Sequence, residues 1–175
     1  MMKKLLLILL CLPMIGFGQN VNIPDAIFKA YLVGDTAINT NGDNFIQQSE
    51  AIVFNGAIDC SNLNIYDLTG IEAFTALTSL KCTNNLLYSL DVSNNTALTN
   101  LDYGFNQITS LDVSTNIALT TLFCGNNPLT SLDVSNNTSL TYLWCWINQL
   151  TSLDLSNNTA LIELKCQSNQ LTSLD

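Results

Sequence analysis

The chain has no histidine and no arginine, and only five lysines and three prolines among its 175 residues. Without histidine, neither a Ser-His-Asp triad nor a Cys-His pair can be assembled. The Cys-x-x-Cys spacing of common zinc sites is missing, and so is a glycine-rich phosphate loop. Acids outnumber bases by 14 to 5, so there is no phosphate-neutralising patch and nucleic acid is excluded as a partner. The longest apolar run, residues 5–15, falls well short of the ~20 needed to cross a bilayer, which argues against membrane insertion. Carboxylates are plentiful, but glycoside hydrolysis needs a cleft with one raised and one ordinary pKa, and no cleft is implied. The chain reads as a non-enzyme.

What is present begins with an address. Lys3 and Lys4, the apolar run and Gly16-Phe17-Gly18 have the layout of a secretory leader over residues 1–18, removed to expose Gln19. The mature chain then carries 14 acids against 3 lysines, a net charge of −11. Secretion or display at the cell surface is the expected location.

Residues 87–107, 108–128, 129–149 and 150–170 are four copies of one 21-residue unit, shown best by LTSLDVSNNTSLTYLWCWINQ. A fixed period with self-similar content marks a solenoid. Each copy holds two apolar phrases. Leu132 and Val134 alternate with Ser131, Asp133 and Ser135, while Leu143 and Cys145 alternate with Tyr142, Trp144 and Trp146. Period-2 alternation predicts two short strands per coil, each turning one row inward. Asparagines close the phrases in two ladders. Asn85, Asn106, Asn127, Asn148 and Asn169 form one, and Asn95, Asn116, Asn137 and Asn158 the other. Asn suits a left-handed corner, and its amide can bond neighbouring coils. One coil cannot bury its apolar face alone; a stack can.

These phrases resemble the leucine-rich-repeat signature L-x-x-L-x-L-x-x-N-x-L, in the nested bacterial form where phrases of ten and eleven residues alternate. The resemblance implies a β-rich, right-handed curved solenoid over residues 58–175, with a parallel strand on the concave side of every coil. It also implies binding of proteins or other macromolecules. Together with NIPDAIFKAYLV and LTSLDVSNN, it is similar to secreted repeat proteins of Gram-negative bacteria, which often end in a C-terminal sorting domain.

Cys60, Cys82, Cys124, Cys145 and Cys166 occupy one place in successive coils, with Tyr103 in the slot missing between Cys82 and Cys124. A column locked to the repeat register reads as small buried side chains rather than a disulfide framework.

Residues 19–57 read as a helical N-terminal cap, like those of internalin-like proteins. Pro24 suits the first helical position, Ile27, Phe28, Tyr31 and Leu32 recur at helical spacing, and Gly34 ends the helix. The loop that follows places Asn39, Asn41, Asp43 and Glu50 at positions 1, 3, 5 and 12 of an EF-hand-like calcium loop, with the Phe45 carbonyl and Gln47 between. Position 1 is Asn rather than Asp, and position 6 is Asn44 rather than Gly. A weak calcium site is one reading; a loop bonded to its own backbone, with no cofactor, is the other.

Two outward faces follow from the register. One repeats Ser-x-Asp-x-Ser and stacks Asp91, Asp112, Asp133, Asp154 and Asp175 as a solvated, aggregation-resistant column. The other varies from coil to coil and gathers Phe123, Tyr142, Trp144 and Trp146, an open aromatic patch fit for a sugar ring or an apolar protein anchor. These four are the expected ligand-binding residues of an adhesion or recognition module for a protein or glycan. The alternative is a passive spacer. The last phrase stops in mid-coil at Asp175, so further coils are expected, or else end-to-end pairing of two copies through the uncapped coil.

Overall fold

The computed structural model describes residues 19–174; the leader, residues 1–18, and Asp175 lie outside them. Strands β1 (Ala57–Asp59), β2 (Ser79–Lys81), β3 (Asn100–Asp102), β4 (Thr121–Phe123), β5 (Tyr142–Trp144) and β7 (Glu163–Lys165) form one six-stranded parallel sheet in that order. Each strand is one coil away from the next, so the rest of the coil is the crossover that parallel pairing requires. The register aligns Leu80, Leu101, Leu122, Leu143 and Leu164 in one inward column. All but Leu164 are fully buried. Val92, Val113 and Val134 bury the opposite wall.

The second phrase differs from the expectation of a second strand in every coil. It pairs only in the last two coils, where β6 (Ser152–Leu153) meets β8 (Ser173–Leu174). Asp91, Asp112, Asp133 and Asp154 each accept the amide of the serine two residues on, at 2.8–2.9 Å, in the coil that pairs as in those that do not, so these bonds shape the turn without accounting for the difference.

The asparagine ladders are the stitching. In the first, each Nδ2 donates to a carbonyl of its own coil and one of the coil before, as Asn106 does to Tyr103 at 2.9 Å and Cys82 at 3.0 Å. Each Oδ1 accepts an amide of the preceding coil, as in Leu87 to Asn106 at 3.1 Å. In the second, Asn116 bridges the carbonyls of Val92 and Asn95, and the pattern repeats at Asn137 and Asn158. The left-handed corner, however, is not taken by ladder asparagines. It falls one residue earlier, at Asn84, Phe105, Asn126, Ile147 and Ser168.

The cysteine column is as expected. All five are free thiols, buried except Cys166, which is half-buried. Burial pushes Cys60 and Cys145 up to about 12 and raises Cys82 and Cys124 as well, so they stay protonated. Tyr103 fills the slot between Cys82 and Cys124 fully buried, its hydroxyl without a partner among the described residues.

At the N-terminal end, helix α1 (Ala26–Gly34) buries Phe28 and Leu32. Asp25, not Pro24, sets its start: its carboxylate accepts the amides of Ile27 and Phe28, which places Pro24 just outside the helix. Ile27 faces solvent rather than the core, and Tyr31 is half-buried. Gly70 (φ 106°) lets the segment 21–23 lie directly on the first coil, since a Cβ there would stand 2.7 Å from Ile23. At the other end Leu161, Leu164, Cys166 and Leu171 are only partly buried.

Candidate functional site

The strand face is built from alternation. In each of β1 to β5 and β7 the middle residue points inward and its two neighbours point out, with a third outward residue two positions past the inward one's outer neighbour. The outermost register column of the sheet reads Asp59, Lys81, Asp102, Phe123, Trp144, Lys165, adjacent residues being direct cross-strand partners. Its first three members are ionic, the next two aromatic and the last, Lys165, ionic again. Burial, foremost, raises the Asp102 carboxyl, against the lowering effect of the Gly104 amide and Lys81.

The sequence-predicted ligand residues come together, but not as one open patch. Phe123 and Trp144 stack face to face, with centroids 4.0 Å apart and planes 12° off parallel. The Lys165 ammonium sits 3.6 Å from the Trp144 centroid and pairs with Glu163 at 2.9 Å. Trp144 is thus held between Phe123 and Lys165, both its register neighbours, and its Nε1 is buried without a partner. Tyr142 stands at the rim, 38% exposed.

Trp146 behaves differently. It reaches back across the neighbouring coil to meet Phe105 edge-on, with centroids 5.4 Å apart at 74°. The reach depends on Gly125, where a Cβ would stand 2.6, 2.7 and 2.9 Å from Cε2, Nε1 and Cδ2 of the indole. Near-equal distances to three ring atoms put that point over the ring face rather than at its edge, so the indole lies flat on Gly125. Sequence reasoning missed Phe105, Lys165 and Glu163. Phe105 was findable, because it stands where the coils before and after carry Asn84 and Asn126.

On the opposite leg, the hydroxyl and amide of Ser93 and of Ser114 hold Asp91 and Asp112 below the usual carboxylate range; the amide and hydroxyl of Ser135 and of Ser156 do so for Asp133 and Asp154. A hollow of about 390 Å³ lies between two such coils, lined by Ser110, Asp112, Ser114, Ser131, Asp133 and Ser135.

The cap loop does gather Asn39, Asn41, Asp43 and Glu50, bonded to their own chain. Glu50 Oε1 accepts the Thr40 amide and hydroxyl and the Asn41 amide, while Oε2 accepts the Gln47 amide. Glu50 thereby closes the capping box of helix α2 (Gln48–Ala51). Asn39 Nδ2 bridges the Val33 and Asp43 carbonyls. Asp43 accepts the Phe45 amide and the side-chain amides of Asn41 and Gln47. The oxygens of Glu50 and Asp43 accept N–H and O–H donors of their own chain, whereas Asn39 Oδ1 is buried without a partner among the described residues. Among the described residues no group of three or more His, Cys, Asp or Glu is placed to hold a metal.

No family model matches the chain. A 39-residue stretch, 22% of the chain, is 51% identical to internalin J of Listeria monocytogenes serotype 4b (strain F2365), of which it spans 4%. The solved functional domain of InlJ from Listeria monocytogenes, which includes a cysteine ladder, is similar over 90% of the chain, with a TM-score of 0.80 and 42% identity. The chain covers 35% of that structure, about a third of its length. Internalin C2 from the same species shares the fold at 22% identity and a TM-score of 0.62, over 89% of the chain and 80% of that structure. So does the leucine-rich-repeat ectodomain of a receptor kinase from Arabidopsis thaliana, at 18% identity and a TM-score of 0.58, over 67% of the chain and 70% of that one.

Proposed function

We propose that this internalin-like leucine-rich-repeat solenoid is a non-catalytic binding module, secreted or displayed at the cell surface, that recognises a protein or glycan through its strand face. One observation carries the reading: outward strand rows change from coil to coil on a frame that does not, and large aromatics concentrate in two adjacent rows. The leader supports the location. The absence of histidine, together with buried, protonated thiols, supports a role without catalysis. Among the described residues no helix is long and apolar enough to cross a membrane.

The test is joint replacement of Phe123, Tyr142, Trp144 and Trp146 by serine in the full chain. Binding is read by interferometry on immobilised extracellular proteins and glycans, with circular dichroism as the control for folding. Wild type should bind, and the variant should lose at least about tenfold, the equivalent of about 1.4 kcal/mol. A wild type that binds nothing favours the alternative, a passive spacer. Undiminished binding by the variant moves the site off this face.

The cap loop belongs to the fold in this reading, needing no calcium.

A further inference from the structure

We propose that Trp146, laid flat on Gly125 with Phe105 standing at its edge, is the stacking floor of a subsite for a neutral sugar ring. The inference rests on the strand face being a binding surface and names what one part of it takes.

The two tryptophans are not equivalent. Trp144 has Phe123 against one side and the Lys165 ammonium against the other, so it offers a ligand no free ring face. It is support. Trp146 spends one face on Gly125 and stays partly exposed, so the opposite face is the one available to a ligand. Phe105 meets it near a right angle, giving a floor and a wall. A pyranose presents a face of C–H bonds to such an indole and its hydroxyls to the sides.

The sides match. At the corner that directly follows Gly125 and Trp146 in their coils lies a shallow hollow of about 310 Å³ lined by Asn106, Asn126, Pro128, Ile147, Asn148 and Gln149 among others. The ladder amides of Asn106 and Asn148 are committed to backbone carbonyls. Asn126 and Gln149 make no side-chain hydrogen bond among the described residues, so each holds a donor pair and an acceptor for hydroxyls. Nothing charged lines the hollow. An anionic sugar gains nothing there and meets a chain of net charge −9, and a basic peptide finds no carboxylate. Neutral hydroxyls suit an amide-lined edge.

Backbone strain points to the same place. Phe105 (φ 54°) and Ile147 (φ 49°) hold the left-handed conformation at corners where Asn62, Asn84, Asn126 and Ser168 do so in other coils. For a bulky and a β-branched residue that conformation is unfavourable, and such outliers cluster at ligand sites. Both flank Trp146.

The experiment titrates the full chain with neutral gluco-, manno- and galacto-oligosaccharides, reading saturation-transfer NMR and tryptophan fluorescence. Sialylated and sulfated oligosaccharides and deglycosylated extracellular proteins serve as comparators. The expected result is binding of a neutral oligosaccharide that falls about tenfold or more in Trp146→Ala. Gly125→Ala, whose Cβ must lift the indole, should fall similarly. Tyr88→Ala, at an exposed aromatic outside the strand face, should change binding less than threefold. Equal losses in Tyr88→Ala and Trp146→Ala overturn the subsite. A wild type that binds a deglycosylated protein but no neutral sugar overturns the sugar inference and leaves the binding module standing. A wild type that binds nothing overturns both.

Discussion

The strand face and the Asp-Ser leg run the length of the same solenoid, yet one varies and the other repeats. On the strand face the backbone bonds itself from coil to coil: the amides of Cys82, Tyr103, Cys124 and Cys145 reach the carbonyls of Asp102, Phe123, Trp144 and Lys165 at 2.8–3.0 Å. Side chains there take little part in the ladder, Thr83, whose hydroxyl donates to the Gly104 carbonyl, being one that does. On the leg the amides of Ser93, Ser114, Ser135 and Ser156 are satisfied by aspartate side chains within the coil. Repetition marks where side chains complete the backbone's hydrogen bonds, and variation marks where the backbone completes its own. A surface free to vary is a surface free to acquire a ligand.

Several substitutions bear on that contrast. The largest effect is expected at the corners both faces share. Asn137→Ala bares the buried carbonyls of Val113 and Asn116 and should cost about 2–5 kcal/mol in urea unfolding. Glu50→Gln comes next, at roughly 2–3 kcal/mol, because an amide must face donors that the carboxylate accepts. On the leg, Asp133→Ala removes the bond to Ser135 and should cost about 0.5–1 kcal/mol. On the strand face, Thr121→Ser should stay below about 0.5 kcal/mol. A Thr121 effect larger than the Asp133 effect would reverse the comparison.

Acid separates the faces by sign. The leg aspartates titrate below the ordinary 3.8 when folded, so the stability they lend is present above 3.8 and is lost as pH falls below it. Asp102 titrates above 3.8 because of burial, so it disfavours the fold at neutral pH and relents as pH falls through its raised value. Asp102→Asn keeps an acceptor for the Gly104 amide and should raise stability at pH 7, with the gain shrinking towards pH 4. The smallest effect is expected from metal: exchanging calcium for a chelator should leave the melting temperature unchanged, and a clear rise with calcium would show that the Glu50 network opens around an ion.

Much of this was legible in the sequence because a 21-residue period constrains every inward position at once. Leu143, Val134 and Cys145, and both asparagine ladders, were assignable from spacing alone. The misses share a cause. Alternation at Leu132 and Val134 looks like a strand whether or not a neighbouring coil offers a partner. Pro24 was placed inside the helix because the competing cap, Asp25, follows it directly. Trp144 and Trp146 sit in one row and looked alike. They differ only through neighbours a coil away: Phe123 and Lys165 for one, Gly125 and Phe105 for the other.

The most direct test of the contrast is native-state hydrogen exchange, resolved by NMR, on the amides of the two faces. Amides of Cys82, Tyr103, Cys124 and Cys145 are bonded between coils and should exchange only when coils separate, with protection near the global unfolding free energy. Amides of Ser93, Ser114, Ser135 and Ser156 are bonded within their own coil at an exposed turn and should exchange by local opening, far faster. Equal protection of the two sets would contradict the division between a face that holds itself and a leg held by its side chains.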